Sequence, residues 1–578
     1  MYSRVPVHRL TASSTEDSSR EPPDGLGTVI GFPAYNRLRR WANDWYWMRR
    51  TAAHTGLTKP QRLSLSQNQP VCSRQTANIL SRASATVPNR MLGGFPLITF
   101  FIALILLIVG FFTYSKIIER VFHIDDRQTP AQVHPDGVDY MPMKTWRIFL
   151  IQLLNIAGLG PIFGALAGAC WGPVVYLWIV FGTIFAGGVH DFLSGMMSER
   201  EDGASISEVV GHHMGKTITF IMRIFSVVLL ILVGTTFSTG PAGLLAKLTP
   251  ESLNANFWLA VILIYYLCAT FLPIDKIIGK LYPIFGICLI VMALGVGGGI
   301  IFKGYEMPEL WNNFANLDPA QKPIWPMMFV SVACGAISGF HATQSPMMAR
   351  CMTSEKEGRT VFYGAMVAEG IIALIWAAAG VSIYNGTAGL SAALTELGGQ
   401  GGVVYDICQT LLGPVGAVLA MIGVIACPIT SGDTAFRSAR LTIADWFKID
   451  QSKMHTRMLM SIPLLACGAI LSQLDFGVIW RYFSWSNQTL AMIVLWTGAV
   501  FLHKYGFPPV ACLMAAIPAT FMTAVSVTYI MVAPEGFRLS TSLSYPTGII
   551  VAVAFFALFW YKTFVVHKND VNQALANQ

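Results

Sequence analysis

The sequence predicts an all-helical, polytopic membrane protein. Three observations carry the prediction: the composition, the recurrence of long apolar stretches, and two of those stretches interrupted by glycine and proline at positions five spans apart. Of 578 residues, 54% are hydrophobic and only 12% charged, about half the charged share of ordinary soluble domains, roughly 25%. A hydrocarbon core of about 30 Å needs about 20 apolar residues at 1.5 Å each. About thirteen such stretches begin near residues 95, 146, 172, 217, 256, 281, 325, 361, 407, 458, 478, 509 and 545.

The elements follow in chain order. Residues 1–90 hold thirteen Lys plus Arg and five Asp plus Glu, 13 − 5 = +8, the whole formal charge of the chain. Residues 91–578 balance, 26 against 26. The segment 1–90 reads as a basic polar extension, disordered or a mis-assigned start, with Met91 directly before the first span as the expected beginning. Its stretch RLRRWANDWYWMRR can be read as a nucleic-acid or lipid patch, but nothing else in the chain asks for a nucleic-acid partner, and none is expected. Residues 91–145 hold the first helix and a loop, 146–302 five spans, 325–502 five more, and 503–578 two final helices and a short tail.

Lysine and arginine fix the expected orientation. Nineteen lie in one set of alternate loops or their flanks, among them Lys116, Arg200, Arg350, Arg437 and Lys504, against Lys247, Lys303, Lys322 and Arg538 in the other. Basic loops stay in the cytoplasm, so the first span begins outside and the carboxyl end lies inside. The ten cysteines are scattered singly with no metal-ligand spacing, and no metal or cofactor is expected beyond a coupling proton or sodium ion.

The spans at 146 and 325 are the first and sixth of ten consecutive spans. Five is odd, so equivalent segments sit upside down relative to one another: an inverted-repeat core, with one helix before it and two after. Such transporters bind substrate near the bilayer midplane between two discontinuous helices. Non-helical backbone at that depth persists only where protein or a water-filled cavity satisfies it.

The sequences NIAGLGPIFGALAGACWGP, FAGGVHDF, SISEVVG, GFHATQSPMMAR and ITSGDTAFRSAR resemble the carbon starvation protein A family of bacterial inner-membrane transporters, from about residue 91 to about 565. The resemblance implies a five-plus-five core of the amino acid, polyamine and organocation type, an inner-membrane location, and uptake of peptides or pyruvate under nutrient limitation. The segment 1–90 matches nothing in that pattern, and the longer carboxyl-terminal region of the larger members is missing.

The first break offers Asn155, Gly158, Gly160 and Pro161 as substrate-binding positions. Pro161 removes an amide and clashes with the carbonyl of Ala157, freeing carbonyls for a cation, while the next half-helix turns its positive end toward a carboxylate. The alternative for the glycines is close helix packing. The second break adds Ser338, Gly339, His341 and Gln344. His341 reads as a substrate or proton group, or else as an interfacial histidine.

His190 and Asp191 close the second span and read as a gate or a proton relay. Glu369, about eight residues into its span, is a proton-coupling candidate, or a structural hydrogen bond. Thr430, Ser431 and Thr434 are expected to face the first break and complete an oxygen-lined cation site with Ala157, as the resemblance also implies. Asp433 reads instead as a gate, or as the cap of the helix running through TAFRSARLTIADWF.

No His-Glu-x-x-His, Gly-x-Ser-x-Gly or haem-attachment sequence is present, so an enzyme is not expected. The expected function is secondary import of a small carboxylate-bearing nutrient, pyruvate or peptides, coupled to protons. Competing readings are a nutrient sensor or channel on the same scaffold, and a sodium-coupled amino acid or peptide transporter. The partners expected are the lipid bilayer and a small-molecule substrate; the sequence gives no oligomeric state.

Overall fold

The computed structural model describes residues 97–566 apart from 136–139, 271–273, 333 and 452. The chain divides into two units, Met1–Gly93 and Gly94–Gln578. The basic extension 1–90, Met91 and the end of the tail lie outside the described residues.

Every regular element among the described residues is helical. The main helices are α1 Ile98–Val121, α2 Thr145–Ile156, α3 Gly160–Ala169, α4 Val174–Arg200, α5 Ile206–Met214, α6 Lys216–Leu248, α7 Ala255–Ala269 and α8 Ile274–Lys303. After a short helical stretch at 324–331 come α9 Gly339–Ala349, α10 Glu355–Ile383, α11 Thr387–Glu396 and α12 Gln400–Phe447. The last four are α13 Met454–Leu471, α14 Phe476–Lys504, α15 Pro509–Val532 and α16 Thr541–Val566.

Among the described residues nine helices are long and apolar enough to cross a membrane, ten if the bent pair α2 and α3 is one span. The sequence predicts about thirteen, and the difference has physical causes. The stretch at 325 divides around 332–338. Helix α7 has only 15 residues. Helix α14 is 29 residues long but carries Arg481, Asn487 and Gln488.

Burial sorts the bundle into a centre and a rim. The apolar windows of α4 and α10 are 78% and 83% buried, that of α16 only 17%. A helix apolar all round and buried all round belongs in the core, so α4 and α10 form the centre and α16 lies on the rim.

Both interrupted spans are interrupted in the structure. Helix α2 ends at Ile156, Ala157 leaves helical geometry at φ −84° and ψ 44°, and the chain resumes at Gly160 with a 52° bend. In the second, Val332 has φ −96° and ψ 45°, Ser338 is extended, and α9 starts at Gly339. The two interruptions touch. A Cβ on Gly160 would fall on the Cys334 side chain, Gly164 packs against the Ser331 carbonyl, and Gly335 lies between Ala373 and Pro161. Only a residue without a side chain fits at 160.

Two expected boundaries are corrected. The second span does not close at Asp191, because α4 runs on to Arg200. Nor does a helix begin after Asp433. Helix α12 is continuous there, its one non-helical residue being Gly413 at φ 71°, far upstream, so Asp433 caps nothing.

Candidate functional site

Because α4 continues, His190 and Asp191 lie within it and not at its end. Their side chains are fully buried, with His190 Nδ1 2.8 Å from Asp191 Oδ1. The other carboxylate oxygen, Oδ2, is 2.8 Å from Nδ1 of His341, third residue of α9. The far side of that imidazole, Nε2, is 3.2 Å from Glu369 Oε2 on α10, within ion-pair distance but off the hydrogen-bond line. Four titratable groups thus form one chain, His190, Asp191, His341, Glu369, each 0% exposed. It joins both broken halves, since α4 follows the first break and α9 the second.

Serines hold the chain in place. Ser194 donates to the Asp191 carbonyl at 3.0 Å, Ser345 to the His341 carbonyl at 2.9 Å, and the two hydroxyls are 3.1 Å apart across α4 and α9. The chain ends in unused capacity. His190 Nε2 and Glu369 Oε1 have no hydrogen-bond partner. Buried polar groups are nearly always satisfied, so such atoms are places for a proton, water or ligand.

The second break is held by residues that the sequence reading missed. Asn487 Oδ1 accepts from the Phe340 amide at 2.7 Å, and its amide group exchanges hydrogen bonds with Ser338 at 2.9 and 3.1 Å. Gln488 Nε2 donates to the Phe329 and Ile337 carbonyls at 3.3 and 3.5 Å. Gly339 lies directly against the Asn487 backbone. The available signal was an Asn-Gln pair in the middle of an otherwise apolar span, which needs a partner as much as an intramembrane histidine does.

The first break is closed from α12. Cys427 Sγ lies 3.0 Å from the Ala157 carbonyl and 3.3 Å from that of Leu154, and Ser431 Oγ donates to Leu154 at 3.1 Å. Of the residues expected to complete a cation site, Ser431 hydrogen-bonds to the break. Thr430 and Thr434 donate back to their own helix, to Cys427 and Ser431 at 2.7 and 2.9 Å. A helical Thr has a carbonyl of its preceding turn within reach, and these two use it. Asp433 lies 3.8 Å from Arg437 one turn on, an ion pair away from the His341 chain.

The remaining expected residues flank the breaks. Asn155 is fully buried with both amide atoms unpartnered, as is Gln152 one turn earlier. Gln344 donates to Thr343 at 3.0 Å and leaves its oxygen unused. Gly158 packs on the Phe237 ring, which sits edge-on to Phe340 and Phe483 at 6.0 Å each. Pro161 lies where the two breaks cross.

Comparison with known proteins places the sequence in a family. The family model described as carbon starvation protein CstA matches residues 96–252 and 242–411. An uncharacterised membrane protein of Haemophilus influenzae is 40% identical over 351 residues, covering 52% of this chain and 95% of that one. The peptide transporter CstA of Bacillus subtilis is 26% identical over 501 residues, 69% of this chain and 83% of that one. The pyruvate/proton symporter BtsT of Escherichia coli is 26% identical over 332 residues, which is 46% of each chain.

Proposed function

The chain belongs to the carbon starvation protein CstA family, and from that premise we propose that it is a secondary transporter which imports a small carboxylate, pyruvate in the first place, together with protons. Peptides are the second substrate class, and the relatives carry both names. The proposal includes a five-plus-five inverted core, α2 to α8 and 324 to α14, with one helix before and two after. It places the chain in the inner membrane with the first span beginning outside and the carboxyl end in the cytoplasm.

One observation carries the reading: the buried chain His190, Asp191, His341, Glu369, spanning the halves that alternating access moves against each other. Two carboxyls and two imidazoles can hold from none to four protons, and desolvation favours the count at which the total charge is zero. Adding or removing a proton therefore changes the cost of burying the cluster, which is how a proton gradient can bias one arrangement of the two halves over the other. Unpartnered buried amides at Gln152 and Asn155, beside the first break, supply donors for a carboxylate.

Support for protons over sodium comes from the first break. Hard cations take oxygen ligands, whereas the carbonyls freed at Leu154 and Ala157 already accept from a thiol and a hydroxyl. Purified protein in liposomes, given labelled pyruvate or labelled dipeptides under imposed pH and sodium gradients in turn, tests the proposal. Pyruvate should accumulate under an inward proton gradient without sodium, and a protonophore should abolish it. Failure of both substrates under both gradients refutes the reading.

A further inference from the structure

A cavity of about 80 Å³ lies beside α9, lined by Ser226 of α6, Thr343 of α9, Arg350 just beyond it, and Ser438, Thr442 and Asp445 of α12. Its lining on α9 starts two residues past His341 and ends at Arg350, one of the basic residues of the loops expected to be cytoplasmic. Ser226 is 1% exposed and its hydroxyl has no partner. A buried hydroxyl directed at a cavity without a partner marks a place that a ligand or water fills.

The arginine is positioned and not merely present. Its Nε donates to the Gly203 carbonyl at 2.8 Å, and its guanidinium carbon lies 5.2 Å from the Tyr140 ring centre. That bond uses one of the five N–H donors in the planar fork, a geometry that matches a carboxylate with two parallel hydrogen bonds. The Thr343 and Thr442 hydroxyls donate to carbonyls of their own helices at 2.6 and 2.9 Å, so toward the cavity they offer only acceptors. Donors for an anion include Arg350 and Ser226.

Resting on the reading of the chain as a carboxylate transporter, we propose that this cavity is a second station for the transported carboxylate. It lies between the His341 chain and those basic loops, with Arg350 pairing the carboxylate and Ser226 donating to it. The cavity is small, about 80 Å³, against about 10–15 Å³ as the least that holds a water. A 2-oxo acid of three carbons and three oxygens suits it better than a dipeptide. Asp445 lines the same space and opposes the anion, which makes the station one of release and not of storage.

The test uses the full-length protein with Thr442→Cys, and Ser438→Cys as a second reporter should the first not fold. Detergent-solubilised variant is labelled with an anionic methanethiosulfonate, and modification at the new cysteine is read by peptide mass against wild type. Pyruvate is expected to slow labelling at least fivefold, and Arg350→Gln in the same background to remove that protection. Arg350→Gln alone should slow pyruvate counterflow in liposomes about tenfold, with partial recovery in Arg350→Lys. Unchanged labelling with pyruvate, in a preparation that transports pyruvate, overturns the station while leaving the transporter reading intact. Protection by a dipeptide but not by pyruvate overturns it as well. No pyruvate transport by wild type under any gradient removes pyruvate as the substrate, and the station with it.

Discussion

Replacing Asn487 with alanine should damage the protein more than replacing its neighbour Gln488, and the structure sets the size of the difference. Asn487 is fully buried and holds the start of α9, accepting from the Phe340 amide at 2.7 Å and exchanging hydrogen bonds with Ser338. Its loss leaves one buried amide unpaired, at a cost of about 1–3 kcal/mol, and removes a Ser338 bond with a net contribution of about 0.5–1.5 kcal/mol. The sum is about 1.5–4.5 kcal/mol. Gln488 makes only long contacts of 3.3 and 3.5 Å and already leaves its oxygen unpartnered, so its truncation should cost about 1 kcal/mol or less. With about 460 described residues and a melting entropy of about 2.1 cal/mol/K per residue, each kcal/mol moves the midpoint by roughly 1 °C. Thermal unfolding in detergent should therefore fall by about 1.5–4.5 °C for Asn487→Ala and by about 1 °C or less for Gln488→Ala. Uptake should drop further in the first, because His341 sits three residues beyond Ser338. A Gln488→Ala loss equal to or larger than that of Asn487→Ala refutes the account of how the second break is held.

Glu369→Gln keeps the side-chain volume and removes one proton site. It should abolish pH-driven accumulation of pyruvate in liposomes, about tenfold per pH unit for one-to-one coupling, while exchange across the same membranes persists; gradient-driven accumulation in the variant counts against the buried chain as the coupling device. Pro161→Ala restores an amide at the crossing of the breaks, and uptake at matched membrane abundance should fall several-fold without loss of insertion. Glu201 lies just beyond α4, bonded to His212 at 2.6 Å and to His213 at 2.5 Å. Burial alone would raise its carboxyl, but the hydrogen bonds and charges of His213 and His212 outweigh burial and hold it below the ordinary value. A depressed carboxyl contributes stability above its unfolded value, about 4.3, and loses it as pH falls through the folded one. The melting difference between wild type and Glu201→Gln should accordingly be full at pH 6–7 and shrink below about pH 4; a difference that grows on acidification contradicts the assignment.

The two interruptions were legible because their cause is local: Gly160-Pro161 cannot continue a helix, and SGFHATQS crowds polar groups into an apolar span. His341 and Glu369 were legible as intramembrane titratable groups. What escaped depended on distant partners. Asp191 looked interfacial because the apolar run stops there, yet α4 continues to Arg200: its buried residues after Asp191 pack on protein, and helix length is not tied to hydrophobicity where no lipid is touched. Asn487 and Cys427 close the breaks from 147 and 270 residues away in sequence, and nothing in the local pattern of α14 or α12 names the backbone they serve. Thr430 and Thr434 show a complementary limit, since each hydroxyl donates to a carbonyl of its own helix, a partner that the spacing alone does not reveal.

The contact between Gly160 and Cys334, with Pro161 against Gly335, means that neither break has a spare wall. A residue enlarged on one side must be accommodated on the other, so damage at either break should appear as a fault in both. A bulkier side chain at 160 is expected to be tolerated only when position 334 shrinks, and suppressor selection starting from Gly160→Ala should return changes at 334 before any near the His341 chain. Heredity would then treat two segments more than 170 positions apart as one locus.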